Sequence, residues 1–126
     1  MAYPSSSSRP SSGDPVGLRA PFVVIEADIG QEVTTVVIAG ELDLNTRPLL
    51  AEHLSAVLAA RPRRLILDMS GTRFTDCSSA RMIVSAGRFL PAGGRLIIRR
   101  PTRAVRRVLE VTGYGTGCEI ENEERA

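Results

Sequence analysis

Two β-branched runs, FVVIEADI from Phe22 and VTTVVIAGELD from Val33, are separated only by Gly30, Gln31 and Glu32. So short a connection leaves no room for a crossover, and the two runs must pair as an antiparallel hairpin. Beyond Asp43 the pattern changes. Helix-periodic stretches now alternate with strand-like ones: NTRPLLAEHLSAVLAARP, then RLILDM (Arg64–Met69), a second helical stretch to about Leu90, RLIIR (Arg95–Arg99), and a third helical stretch opened by Pro101 and Thr102. Strands joined through helices require right-handed crossovers and build a mainly parallel sheet. With an optional last strand around Cys118–Ile120, the order is β-β-α-β-α-β-α(-β). This is an α/β fold with a mixed, mainly parallel sheet of 4–5 strands and about three main helices.

Local signals set the limits of each element. Asn45 or Thr46 can cap the first helix, Pro48 is tolerated in its first turn, and Leu50, Leu54, Val57 and Leu58 line one face. RLILDM suits a strand buried on both faces. In the second helix the apolar stripe is Met82, Ile83, Ala86, Phe89 and Leu90, with Gly93 and Gly94 as its stop. Val105, Val108, Leu109 and Thr112 share one side of the third, which ends at Gly113.

Residues 1–20, MAYPSSSSRPSSGDPVGLRA, hold almost no large apolar side chains and predict a disordered tail. The folded domain is expected over residues 21–121, with 122–126 as a flexible end. A chain of 126 residues that is 43% hydrophobic can build one core. No apolar run approaches the roughly 20 residues that span a bilayer, and no secretory h-region stands at the start. A cytoplasmic protein without membrane contact is expected. The net charge of +2 is too small to argue for direct nucleic-acid binding. Two cysteines in such a chain are reduced thiols by default, not a disulfide framework.

FTDCSSARMIV (Phe74–Val84) sets four small polar residues at the mouth of the second helix, beyond the carboxyl end of a strand. Functional groups of parallel sheets gather at that end. Helix N-termini also favour thiolates, carboxylates and phosphates. Three readings stand: Asp76 or Ser78 caps the helix, Cys77 is a nucleophile, or Ser78 is phosphorylated. The nucleophile is the poorest, because Arg81 follows Cys77 by four residues with no glycine between to wrap an anion, and no general acid stands out. No catalytic residue, cofactor or metal site is expected. His53, the one histidine, reads as a packing residue, and Gly113–Gly117 as a helix stop. Arg99, Arg100, Arg103, Arg106 and Arg107 form a basic cluster, read as a solvated helix face or a surface for an acidic partner.

GELDLNTRPLL (Gly40–Leu50), LILDMSGTRFTDCSS (Leu65–Ser79) and GGRLIIRRPTRAVRRVLEVTGY (Gly93–Tyr114), in that order, resemble the STAS domain in its stand-alone anti-sigma factor antagonist form. The resemblance covers roughly Phe22 to Ile120. It implies a non-enzymatic protein that binds an anti-sigma factor with serine kinase activity and thereby frees a sigma factor. Phosphorylation of the second Ser in an Asp-Ser-Ser-Gly loop breaks the complex, and a serine phosphatase restores it. By position Asp76 matches the Asp and Ser78 the phosphoacceptor, with Ser79 as a rival. The partner-binding set so implied is Asp43, Asp76, Cys77, Ser78, Ser79 and Arg81. Two departures stand out: Cys77 replaces the first Ser, and Ser79 replaces the Gly, which removes backbone freedom at the loop. The alternative keeps the fold without the switch. It is a degenerate STAS scaffold, or a redox-sensing module acting through Cys77, with Cys118 as the second thiol.

Overall fold

The structure, a computed structural model, describes residues 23–112 and 118–122. The expectations for residues 1–20, for Gly113–Gly117 and for the chain beyond residue 122 lie outside the described residues. The elements are β1 (Val23–Ile29), β2 (Val33–Leu42), α1 (Arg47–Ala59), β3 (Arg64–Thr75), α2 (Cys77–Ala86), a 3-10 turn (Gly87–Phe89), β4 (Arg95–Arg99), α3 (Arg103–Val111) and β5 (Cys118–Glu121).

The five strands lie in sequence order across one sheet. β1 and β2 are antiparallel, and every later pairing is parallel. The hairpin closes with Gly30 N donating to Val33 O at 3.1 Å. A Cβ at Gly30 would stand 2.6 Å from that oxygen, so the turn demands glycine.

Because the parallel strands advance in one direction, right-handed crossovers carry α1, α2 and α3 to the same face. The core lies between that face and the helices. It joins Val36, Ile38, Leu67, Met69 and Ile98 of the sheet to Leu50 and Leu54 of α1, Ile83 of α2, and Val105 and Leu109 of α3. The helices pack side by side, α2 between α1 and α3. No helix among the described residues is long and apolar enough to cross a membrane.

Two elements differ from expectation. The run RLILDM is buried on both faces as predicted, but its strand continues through Ser70–Thr75 to 12 residues. In this extension Gly71, Thr72, Phe74 and Thr75 pair with β2 through two register shifts, between Val37 and Ala39 and between Gly40 and Glu41. At the skipped position Ile38, the carbonyl accepts from the buried Thr72 Oγ1 at 2.7 Å, so the irregular ladder leaves it satisfied.

α2 is also shorter than its apolar stripe suggests. It ends at Ala86, tightens into the 3-10 turn, and stops at Leu90, which is extended (φ −77°, ψ 159°). Pro91 disfavours helical backbone at the residue before it, so the chain turns before Gly93. Phe89 is thereby swung out of the core and is 66% exposed.

Candidate functional site

The bulged extension of β3 delivers Asp76 to the end of β2, where its N–H donates to Leu42 O at 2.9 Å. The loop after β2 is built around Asp43. Its carboxylate Oδ1 accepts from Asn45 N at 3.0 Å and Thr46 N at 3.1 Å, and its carbonyl accepts from Arg47 N at 2.9 Å. Thr46 occupies the cap of α1 without a side-chain capping bond. Its hydroxyl instead donates to Glu41 O at 2.8 Å and accepts from Asp43 N at 2.9 Å. Asp43 and Thr46 therefore shape the β2–α1 turn.

Asp76 caps α2, with Oδ1 accepting from Ser79 N at 2.8 Å. Its other oxygen accepts from Arg47 Nη2 at 3.0 Å, an ion pair that ties the first turn of α1 to that of α2. Burial would push the Asp76 carboxyl up, but the hydrogen bonds from Ser79 and Arg47 and the Arg47 charge outweigh it and hold it below the usual carboxylate range.

The residues after the cap divide sharply. Cys77 and Ser78 are exposed, whereas Ser79 is 0% exposed and its hydroxyl has no hydrogen-bond partner among the described residues. Arg81, exposed, lies one turn on from Ser78. Asp43, Asp76, Cys77, Ser78, Ser79 and Arg81 thus gather at the carboxyl ends of β2 and β3. What the site does chemically is present a hydroxyl and a thiol on the positive end of a helix beside an ion-paired carboxylate.

Cys118 does not join them. It opens β5 opposite Leu96, which pairs with Leu65 near the amino end of β3. From Leu65 to Thr75, β3 rises about 30 Å at about 3.3 Å per residue. A disulfide needs Cα atoms within about 7 Å, so the two thiols cannot bridge in this fold. Burial, with the Glu119 charge, pushes the Cys118 thiol up to about 11.

The basic cluster is mostly occupied by the chain's own acids. Arg99 pairs with Glu121 at 2.9 Å, Arg100 with Asp68 at 2.8 Å and Arg106 with Glu110 at 3.6 Å, while Arg103 and Arg107 are exposed. His53 is half-buried, with Nδ1 3.0 Å from Leu49 O. Sequence reasoning passed over Arg47. One signal was available, since an Arg in the first turn of a helix faces an unfavourable dipole and calls for an anionic partner.

The chain matches the STAS domain over residues 24–125 and belongs to that family. Among solved structures it resembles an anti-sigma factor antagonist from Mycobacterium paratuberculosis, at 22% identity over 80% of this chain and 86% of that one, with a TM-score of 0.73. It also resembles the anti-sigma factor antagonist SpoIIAA in its unphosphorylated form, at 22% identity over 79% and 90% of the two chains, with a TM-score of 0.67. The phosphorylated form of the Bacillus cell fate determinant SpoIIAA follows at 21% identity over 79% and 93%, with a TM-score of 0.61. Among curated proteins, none matches the sequence. At these identities the shared property is the fold.

Proposed function

We propose that this protein is a cytoplasmic anti-sigma factor antagonist, a binding switch and not an enzyme. In its unmodified form it binds an anti-sigma factor through the surface at the carboxyl ends of β2 and β3, which releases a sigma factor. Phosphorylation of Ser78 by that anti-sigma factor, acting as a serine kinase, ends the complex, and a serine phosphatase resets it.

The observation that carries this reading is the contrast between adjacent hydroxyls. Ser78 is exposed in the first turn of α2, and Ser79 is 0% exposed. In the transfer, Ser78 Oγ attacks the γ-phosphorus of ATP, the bond to the β-phosphate oxygen breaks, ADP leaves, and the hydroxyl proton passes to a base on the kinase. A phosphate at a helix N-terminus suits the local N–H groups and dipole, so the fold tolerates it. Its effect falls on the interface, where a group of about −1.5 to −2 charge beside Asp76 must be desolvated or meet the partner's acids.

The test is incubation with the cognate kinase and ATP, followed by intact mass and peptide mapping. One phosphate on Ser78, retained in Ser79→Ala and lost in Ser78→Ala, is the expected result. Modification of Ser79 alone, or none, overturns the proposal.

A further inference from the structure

We infer that Arg47 is a built-in receiver for the phosphoryl group on Ser78: after phosphorylation its guanidinium bridges Asp76 and the phosphate and draws the modified loop onto α1. This role rests on the proposed phosphorylation of Ser78 and identifies the side chain within the protein that responds to it.

Arg47 already reaches the site. Its Nη2 donates to Asp76 Oδ2 at 3.0 Å, two residues before Ser78, yet its Nε is buried without an acceptor among the described residues. A guanidinium carries five N–H donors in a rigid fork suited to carboxylate and phosphate oxygens. One oxygen of Asp76 leaves much of that capacity unused.

The side chain also lies on the correct side of α2. Arg47 and Met82 line one shallow cleft of about 240 Å³ together with Leu44, Pro48 and Ala51. Met82 follows Ser78 by one helical turn, so the two share a face of α2. The arginine therefore runs beside the face from which a phosphate at position 78 would project. Ser78 itself is exposed, so the modified side chain can turn toward α1 without opening the core.

Charged groups at this end of the sheet include Asp76 at the cap of α2, Arg81 on α2, Asp43 in the turn before α1, and the paired Glu41 and Arg73 at the ends of β2 and β3. α3 packs beside α2 and adds Arg103, Arg106 and Arg107, of which Arg106 is paired with Glu110. Arg81, exposed one turn beyond Ser78, is the competing receiver. It projects from the same helix, whereas Arg47 links two helices. Capture by Arg47 would shift a residue that lines the α1–α2 cleft, so a partner would meet a changed surface as well as a new charge.

The test uses full-length protein with phosphoserine installed at position 78 during translation, titrated by phosphorus NMR. A guanidinium in contact with the phosphate favours its dianion and lowers its second pKa. Arg47→Gln is expected to raise the titration midpoint by about half a pH unit or more. Arg47→Lys, which keeps the charge and covers the case of a misfolded glutamine variant, should restore part of the lower midpoint. Arg81→Gln should move it less than Arg47→Gln. Because no kinase takes part, a kinase that ignores Ser78 would remove the proposed switch without altering this readout. Equal midpoints in wild type and Arg47→Gln, or a larger rise in Arg81→Gln, overturn the role assigned to Arg47.

Discussion

Among the described residues two aspartate–arginine pairs are built alike and placed differently. In the first, Asp68 of β3 accepts from Arg100 Nη2 at 2.8 Å, and from Ser70 N and Oγ at 3.0 and 2.8 Å. In the second, Asp76 accepts from Arg47 Nη2 at 3.0 Å and from Ser79 N at 2.8 Å. Burial pushes both carboxyls up, and the hydrogen bonds and arginine charges overcome it in both. Their settings diverge. The Asp68 side chain is 12% exposed within the sheet, and Arg100 is held in a left-handed conformation (φ 51°) with its N–H bonded to Glu121 O at 2.7 Å. That pair fastens β3 to the end of β4 and, through the Arg100 backbone, to β5. The Asp76 side chain is 29% exposed at a helix start beside two exposed residues, Cys77 and Ser78. One chemical unit makes a structural clasp where it is enclosed and a solvent-accessible helix cap where it is not.

The comparison breaks most visibly at Ser78. Ser78→Glu should weaken anti-sigma factor binding by about 2–5 kcal/mol, roughly 30-fold to several thousand-fold, with little change in melting temperature. Ser78→Ala should bind like wild type. Calorimetric titration checks both, and a glutamate variant that binds normally would remove the second pair from any switch.

Next in size is the clasp. Asp68→Ala removes three charge-assisted hydrogen bonds from a nearly buried position and should cost about 3 kcal/mol in urea denaturation. Half-exposure of Arg100 allows it to rehydrate, which keeps the loss from growing further. Asp76→Ala loses a helix cap and a partly exposed ion pair, so about 1–2 kcal/mol is expected. If Asp76→Ala proves the more destabilising, the division into clasp and switch is wrong.

The smallest effect is shared by the two pairs. Both carboxyls have folded-state pKa values below their unfolded ones. Their contribution is thus fully present above the unfolded value near 4 and is lost as pH falls through the folded value. Stability followed by denaturation between about pH 5 and pH 2 should therefore fall less steeply in the Asp68→Asn, Asp76→Asn double variant than in wild type. Parallel curves would show that neither pair is coupled to protonation.

Much of the site was legible because its signals are local. A short polar residue at the mouth of a helical stretch is readable as a cap without tertiary knowledge, and Asp76 proved to be the cap. The strand extension was illegible for the opposite reason. Ser70, Gly71, Thr72 and Arg73 have the composition of a turn, and only the pairing of Gly71 and Thr72 with β2 carries the strand through them. The exposure of Phe89 likewise depends on how Pro91 ends the helix, against a periodicity that placed it in the core.

What the sequence determined by itself is the order of elements, the hairpin at Gly30, the parallel crossovers and the capped loop after β3. Each follows from spacings of a few residues, over which chain geometry leaves few choices. The tertiary structure decided which neighbours in that loop are usable and who attends them. It buried Ser79 and left Ser78 outside, brought Arg47 across 29 residues to Asp76, and set Cys118 at the far end of the sheet from Cys77. Such long-range placements depend on register and packing among elements distant in the chain, and no local pattern encodes them.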